Sequence, residues 1–367
     1  MSGAASRALA PLDEALALLA GLASPVAATQ VLSAAAIGRV AAADVRAPVD
    51  VPACRTALRD GWAADAASIT GASPYAPVTP RRPPVWVEAG APLPPGADVV
   101  LPPEAIVGRE IMEDAPALDG VRNAGEEVRA GALLLAAGER LTPMRHAGLA
   151  AAGVTSIAIR APRLRLIMTG APAPAVDDAL SAAIAAMSAA AGASVETLAA
   201  PDDVERIAKA IGAEGADAIF VVGGTGEGRT DRSAEALGAA GDLMLHGLAL
   251  RPGETAGLGA AAGRPVLLSP GRPEAALAVF VALLRPLLGV LSGAGAPPTQ
   301  RAPLTRKIAS TIGLTEVVFV RRADGGAEPL GGAGLPIARL SRADGAVLVN
   351  PDREGYPERA EVEVTPL

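Results

Sequence analysis

Apolar positions along the chain follow two periodicities. Between Leu164 and Leu268, short runs of Val, Ile and Leu alternate with longer amphipathic stretches. Leu164 to Met168, Val195 to Leu198, Ala218 to Val222 and Val266 to Leu268 are predicted strands. Ala179 to Ala191, Val204 to Ile211, Asp231 to Leu237 and a run from Pro273 are predicted helices. Asp177, Asp178, Asp202 and Asp203 precede two of these helices, as N-caps do, and Asp231 is placed to cap a third. Alternating strands and helices give a parallel sheet covered on both faces. The fold class is therefore α/β, multi-domain, with a doubly wound, mostly parallel sheet domain over residues 163–294.

The flanks differ. Pro11 to Leu22 and Thr29 to Val45 carry Ala/Leu faces at helical spacing, with Asp13 and Glu14 in the first turn of the former. Ala47 to about Ala115 is proline-rich and irregular. Val85 to Val87 and Val99 to Leu101 are strand candidates there, separated by a loop containing Gly-Ala-Pro-Leu-Pro-Pro-Gly. Gly131 to Leu141 fits a strand pair and Pro143 to Ala152 a helix. After a Gly/Pro linker from Gly293 to Pro303, Val317 to Val320, Ala346 to Val349 and Glu361 to Val364 read as strands of a small C-terminal β domain, 295–367.

The chemistry concentrates at the ends of the predicted parallel strands. After Val222 come Gly223, Gly224, Thr225, Gly226 and Gly228, then Asp231. A strand that breaks into glycines at a helix start lets backbone N–H groups approach a phosphate, and an acid closing the turn is placed to hold its cation. The run is neither GxGxxG nor GxxxxGK[ST], and such turns also serve merely to close a bend. Thr169-Gly170, Pro201-Asp202-Asp203 and Ser269-Pro270-Gly271-Arg272-Pro273 end the other strands, and Arg251-Pro252-Gly253 lies just before the last one. All are expected to converge on one sheet edge, where α/β ligands bind. In the β-rich section, Asp60-Gly61-Trp62 and Gly125-Glu126-Glu127 near Arg129 form a second candidate set. Taken singly, each of these is more simply a turn with solvated charges.

Composition narrows the field. The chain has 367 residues, half of them hydrophobic but 2% aromatic, and a formal net charge of −7. That balance opposes non-specific nucleic-acid binding. Lys209 and Lys307 are the only lysines, so an anion site must rely on Arg and backbone amides. Cys54 stands alone, which excludes an internal disulfide and a thiolate cluster. Two histidines, His146 and His246, exclude a His-rich metal site. Ala275 to Val290 is the most membrane-like stretch. Arg285 and Pro286 interrupt it, and it reads as a packed helix too short to span. No basic region precedes a long apolar block at the N-terminus, so no signal peptide is expected and a cytoplasmic location is the default.

In order and spacing, these pieces resemble the molybdopterin molybdenumtransferase family, of the MoeA and gephyrin E-domain type. RDGWA at 59–63 stands where the family has MDGYA, and AGAPLPPGADVVLPPE at 89–104 where it has TGAPxPxGADxVVxxE. NAGEEVRAG at 123–131, RLRLIMTG at 163–170, the VVGGTGEGRTD turn, LRPGE at 250–254, SPGRP at 269–273 and LSRADGAVLV at 340–349 continue the match. The resemblance implies a first domain of residues 7–45 plus 140–162, in which the N-terminal helices pair with the segment after Leu141. Residues 46–139 would be a β-rich domain inserted into it. It also implies a homodimer whose cleft joins the α/β domain of one subunit to the inserted domain of the other. The implied reaction inserts molybdate into adenylylated molybdopterin, with Mg²⁺, releasing AMP. A molybdoenzyme or another cofactor-synthesis protein would be a further partner.

Carried over residue by residue, the resemblance implies catalytic roles for Asp60, Glu127, Asp202 and Asp231, the metal falling to Asp60 and Asp231. Pterin and phosphate binding would fall to Thr169, Gly170, Gly223, Gly224, Thr225, Gly226, Arg251, Ser269, Gly271 and Arg272. The chain departs from the pattern elsewhere. Ala89 replaces a threonine, Glu127 an aspartate, Ala171 and Pro172 two acids, and Val222 and Ala57 serines. Gly247 stands where a lysine is expected, Glu254 replaces the lysine of PGK, and Arg272 the asparagine of LPGNP. Catalysis depends heavily on fixed charges around the reacting atoms. Three functions therefore stay open: an active molybdenumtransferase, a pterin carrier of the same fold without catalysis, and an adenylyl transfer to molybdopterin.

Overall fold

The computed structural model describes residues 9–170, 176–226, 228, 231–295 and 299–367. Its centre is a six-stranded sheet in the order Ser194–Ala200, Arg163–Thr169, Ala218–Val222, Arg264–Ser269, Gly257–Ala261 and Asp242–His246. The first four strands are parallel; Gly257–Ala261 runs against them, and Asp242–His246 pairs antiparallel with Gly257–Ala261. Side-chain alternation sends Leu164, Leu166, Phe220 and Leu267 into one core, with Leu180 and Ile184 of the Val176–Ala190 helix. Ile167, Ile219, Val221 and Leu268 enter the other, with Ile207 and Ile211 of Val204–Gly212 and Leu237 of Ser233–Ala240. Ala218–Val222 is buried at every position, which is why its sequence is a continuous apolar run rather than an alternation.

Asp242–His246 and Gly257–Ala261, paired antiparallel, hold no Val, Ile or Thr, whereas each of the other four strands does. The residues between them leave the sheet. Leu250–Arg251 pairs in parallel with Thr315–Ala323 of the C-terminal β-sheet, whose other members include Gly345–Val349, Glu361–Pro366 and Gln300–Pro303. Arg251 is therefore fixed where the two sheets meet.

The apolar run from Pro273 is a continuous helical stretch of 20 residues, Pro273–Ser292, longer than the sequence suggests. Its length alone would suffice to cross a bilayer, but 72% of its apolar window is buried inside the protein, against both sheets.

At the N-terminus the expected helix over Thr29 to Val45 is not formed. Thr29–Leu32 and Val40–Ala41 are strands flanking Ser156–Arg160, and Val45–Arg46 pairs with Leu133–Leu135. A single 3₁₀ turn, Ser33–Ala36, remains. Alanine-rich spacing suits a helix, but strand edges offered by residues 133–135 and 156–160 supply backbone partners and a shared core of Ala36, Ala41, Leu141, Leu149 and Ile157. Pro143–Ala151 is a helix as expected, capped by Thr142. The helix Leu12–Leu22 does not join this unit; Ala15 and Leu19 pack into the α/β core. The expected strand pair within Gly131 to Leu141 reduces to Leu133–Leu135. In the 46–139 stretch, Gly61–Ala64 lies between Val85–Val87 and Val99–Leu101, with the Trp62 and Trp86 rings edge to face at 5.2 Å.

Leu19→Ala should lower the unfolding free energy by about 2–5 kcal/mol in urea titration; a change near zero would show that Leu12–Leu22 is not part of the α/β core. A second expectation concerns acid. The Arg145 guanidinium and the Ala136 N–H, at 2.9 Å, hold the Glu139 carboxyl at about 2, against an ordinary value of 4.5. The folded-state value is depressed, so this stabilisation is full above about pH 4.5 and is lost as pH falls towards 2. The gap in urea midpoint between wild type and Glu139→Gln should close over that window.

Candidate active site at the carboxyl rim of the sheet

The parallel strands end together, so Thr169, Ala200, Val222 and Ser269 define one rim. Gly223 turns the chain there at φ +105°. A Cβ at this position would stand 2.7 Å from Thr169 Oγ1 and 2.8 Å from the Thr169 carbonyl. Gly271 presses on the other side, its hypothetical Cβ 3.4 Å from Gly223 Cα. The Gly223 N–H donates to the Ser269 carbonyl at 2.8 Å. Gly223 therefore serves the turn by its shape, and its amide is not available to a ligand. Gly224 follows at φ +62°, and Ser233 closes over both glycines: its hydroxyl donates to Gly223 O at 2.7 Å and its N–H to Gly224 O at 2.9 Å.

Beyond this point the backbone donors open up. Among the described residues, the N–H groups of Gly224, Thr225 and Gly226 have no acceptor. Thr225 is buried; its hydroxyl shares a hydrogen bond of 3.0 Å with Thr255, and its carbonyl accepts from His246 Nε2 at 3.0 Å. Only a protonated Nε2 makes that bond. His246 and Thr255 thus hold the turn from the Asp242–Ala261 excursion, and Ser233 holds it from the helix. None of the three was expected from the sequence; the scarcity of histidine was the one available signal.

Asp231 is not the helix cap that the spacing suggests. The helix begins at Ser233, with Arg232 at the cap position. The Asp231 carboxylate instead turns back and accepts the Gly228 N–H at 2.9 Å through Oδ2, which also stands 2.7 Å from where a Cβ of Gly226 would be. The later helix start lets the side chain reach the turn. Oδ1 has no partner among the described residues.

Ser269 is fully buried, its hydroxyl near the Pro270 carbonyl, and Thr169 donates to Val222 O at 3.3 Å. Gly170, at φ +117°, borders open space. Arg272 projects into solvent, 3.8 Å from the nearly buried Glu274 carboxylate. Arg251 has its Nε buried without a hydrogen-bond partner, the Glu254 carboxylate standing 4.0 Å away. Glu254 turns its other oxygen to the Gly253 N–H at 3.0 Å. Of the aspartates after Ala200, Asp203 is the helix cap, accepting the Arg206 N–H at 2.9 Å, and Asp202 is half-buried at the rim. Ala171 and Pro172, which stand at the family's acidic positions, lie outside the described residues.

The other two candidates bond within the inserted segment. Asp60 Oδ1 accepts the Ala89 N–H at 2.7 Å, pinning the Gly90-Ala91-Pro92 loop. Glu127 is ion-paired with Arg122. Among the described residues no three His, Cys, Asp or Glu side chains cluster as a metal site, so a single chain does not bring Asp60 and Asp231 into one such group.

Comparison with known proteins fits this architecture. Residues 10–153 match the MoeA N-terminal region, domains I and II, and residues 165–289 match a probable molybdopterin-binding domain. Molybdopterin molybdenumtransferase 2 of Mycobacterium tuberculosis is 30% identical over 326 residues, covering 75% of this chain and 78% of that protein. The molybdopterin molybdenumtransferase of Synechococcus elongatus is 29% identical over 291 residues, covering 68% of this chain and 72% of that one. A crystal structure of the Pyrococcus horikoshii MoeA protein superposes with a TM-score of 0.77 at 28% identity, covering 98% and 99% of the two chains. The fold is thus that of the MoeA proteins of molybdenum cofactor biosynthesis. The chain belongs to the molybdopterin molybdenumtransferase family.

Gly223→Ala forces a Cβ against the Thr169 carbonyl at positive φ. We expect a loss of about 1–3 kcal/mol in urea unfolding. Gly263→Ala, also at positive φ but with open space around it, should cost less; equal losses would mean that the close approach to Thr169 does not matter.

Proposed function

We propose that this chain binds adenylylated molybdopterin at the carboxyl rim and inserts molybdate into it, releasing AMP. The observation that carries the reading is the set of Gly224, Thr225 and Gly226 amides, which have no acceptor among the described residues, beside an Arg251 guanidinium whose buried Nε makes no hydrogen bond there. Backbone donors left open in this way are available to an anion. Backbone amides and arginine suit a phosphate, in a chain with two lysines.

In this reading the turn holds a phosphate of the nucleotide through its amides, while Arg251 and Arg272 add guanidinium charge. Thr169, Gly170, Ser269 and Gly271 shape the floor, and Asp202 borders it. The donor set fits magnesium, which is commonly bound by one or two carboxylates together with substrate phosphates. Asp231 would offer its Oδ1, which has no partner among the described residues, and Asp60 a second oxygen from another copy of the chain across a homodimer cleft. When bound, the ion would neutralise phosphate charge. Asp231 holds the Gly228 end of the turn, and Glu127, ion-paired with Arg122, contributes from the same segment as Asp60. The substrates are small cytoplasmic metabolites in this reading, and the product would pass to a molybdoenzyme or another cofactor-synthesis protein.

A second reading, a pterin carrier without turnover, is favoured by Glu254. Its carboxylate sits on the Gly253 N–H where the family carries a lysine, placing negative charge beside Arg251.

Purified protein with adenylylated molybdopterin, molybdate and magnesium should release AMP above a protein-free control. Asp231→Asn should lower the rate about 10²–10³-fold. Absence of AMP release would reject the transferase; saturable pterin binding by calorimetry in the same preparation would then establish the carrier.

A further inference from the structure

A second cavity of about 760 Å³ lies far from the rim. The helices Val176–Ala190 and Pro273–Ser292 both start at the rim and run back along the sheet, and the cavity is lined by their later turns, at Met187 and Arg285. Its opposite wall is the N-terminal unit, with Glu139, Arg140 and Arg145. Arg145 is neutralised by Glu139. Arg140 and Arg285 are not: among the described residues neither has a carboxylate within ion-pair distance.

Each of the two is anchored through one nitrogen. Arg140 Nη1 donates to Gly38 O at 2.5 Å, and Arg285 Nη1 to Pro366 O. Their remaining N–H groups have no acceptor among the described residues and are not sealed from solvent. Burial lowers the pKa of both guanidiniums, and the charges of Arg285 and Arg39 lower that of Arg140 further. Two half-buried like charges facing one space are costly unless an anion enters it. Met187 and Ala190 supply an apolar surface in the same cavity.

We propose that this cavity is a ligand site separate from the rim, taking a small phosphate monoester with an apolar body. The phosphate bridges Arg140 and Arg285 through their remaining N–H groups, and the body lies on Met187 and Ala190. The site stands whether or not the rim binds a pterin.

The probe is phenyl phosphate, titrated calorimetrically into the full chain at constant ionic strength. Arg140→Gln and Arg285→Gln should each weaken binding at least about tenfold, as loss of a charge-assisted hydrogen bond does. Arg272→Gln, at the rim, should leave it unchanged. No binding by the wild type, or binding lost in Arg272→Gln and kept in Arg140→Gln, overturns the proposal. A measurement on the wild type guards against variants that fail to fold. Phenylglyoxal labelling mapped by mass spectrometry should slow at Arg140 and Arg285 when phenyl phosphate is present. Equal labelling rates with and without it also overturn the proposal.

Discussion

The contact between Gly223 and the Thr169 carbonyl governs the rim. A strand buried on both faces must leave the sheet beside its neighbour's last carbonyl, and only a residue without a Cβ passes at that distance. Once the chain takes that path, the rest follows locally. The Gly223 amide goes to Ser269, Ser233 closes the turn from the helix, and His246 with Thr255 buttresses Thr225 from the antiparallel side. The donors still open among the described residues, on Gly224, Thr225 and Gly226, are those that a bound anion would reach. The glycine run is thus divided between tight geometry at its start and amides without a protein acceptor beyond it, among the described residues.

Charge is arranged differently from the way a sum over the sequence suggests. The chain is acidic overall, yet several of its partly buried arginines are held by backbone carbonyls. Arg39 donates to Gly192 and Ala193 O, and Arg160 to Val26 and Ala42 O. Such bonds satisfy guanidinium hydrogens without cancelling charge, so positive potential persists inside an acidic protein. Arg251 near the rim and Arg140 with Arg285 behind the sheet are where that potential meets accessible space.

Much of the fold was legible. Ala218–Val222 announced itself because full burial demands a continuous apolar run, and the buried apolar centres of Arg163–Thr169 and Arg264–Ser269 marked those strands. The Pro273 helix was readable from its proline start. Thr29 to Val45 was not: its alanines allow a helix, and the strands form only because residues 133–135 and 156–160 offer edges. Within the site, the grouping of Thr169, Gly223, Ser269 and Gly271 was legible, since parallel strands must end on one edge. The direction of the Asp231 carboxylate was not, because the same spacing serves a helix cap and a turn clamp. Asp60 and Glu127 could be placed in one β-rich segment, but their bonds to Ala89 and Arg122 depend on loop paths.

Sequence by itself determined the alternation of buried strands with amphipathic helices, the family, and the acidic, arginine-based chemistry. These rest on local periodicity and on residue type, which survive without knowledge of neighbours. Tertiary structure decided which amides remain open, which carboxylate faces the turn, and which arginines from distant segments share a cavity. Those outcomes depend on distances between segments remote in the chain, where hydrogen bonds and charges act within a few ångströms.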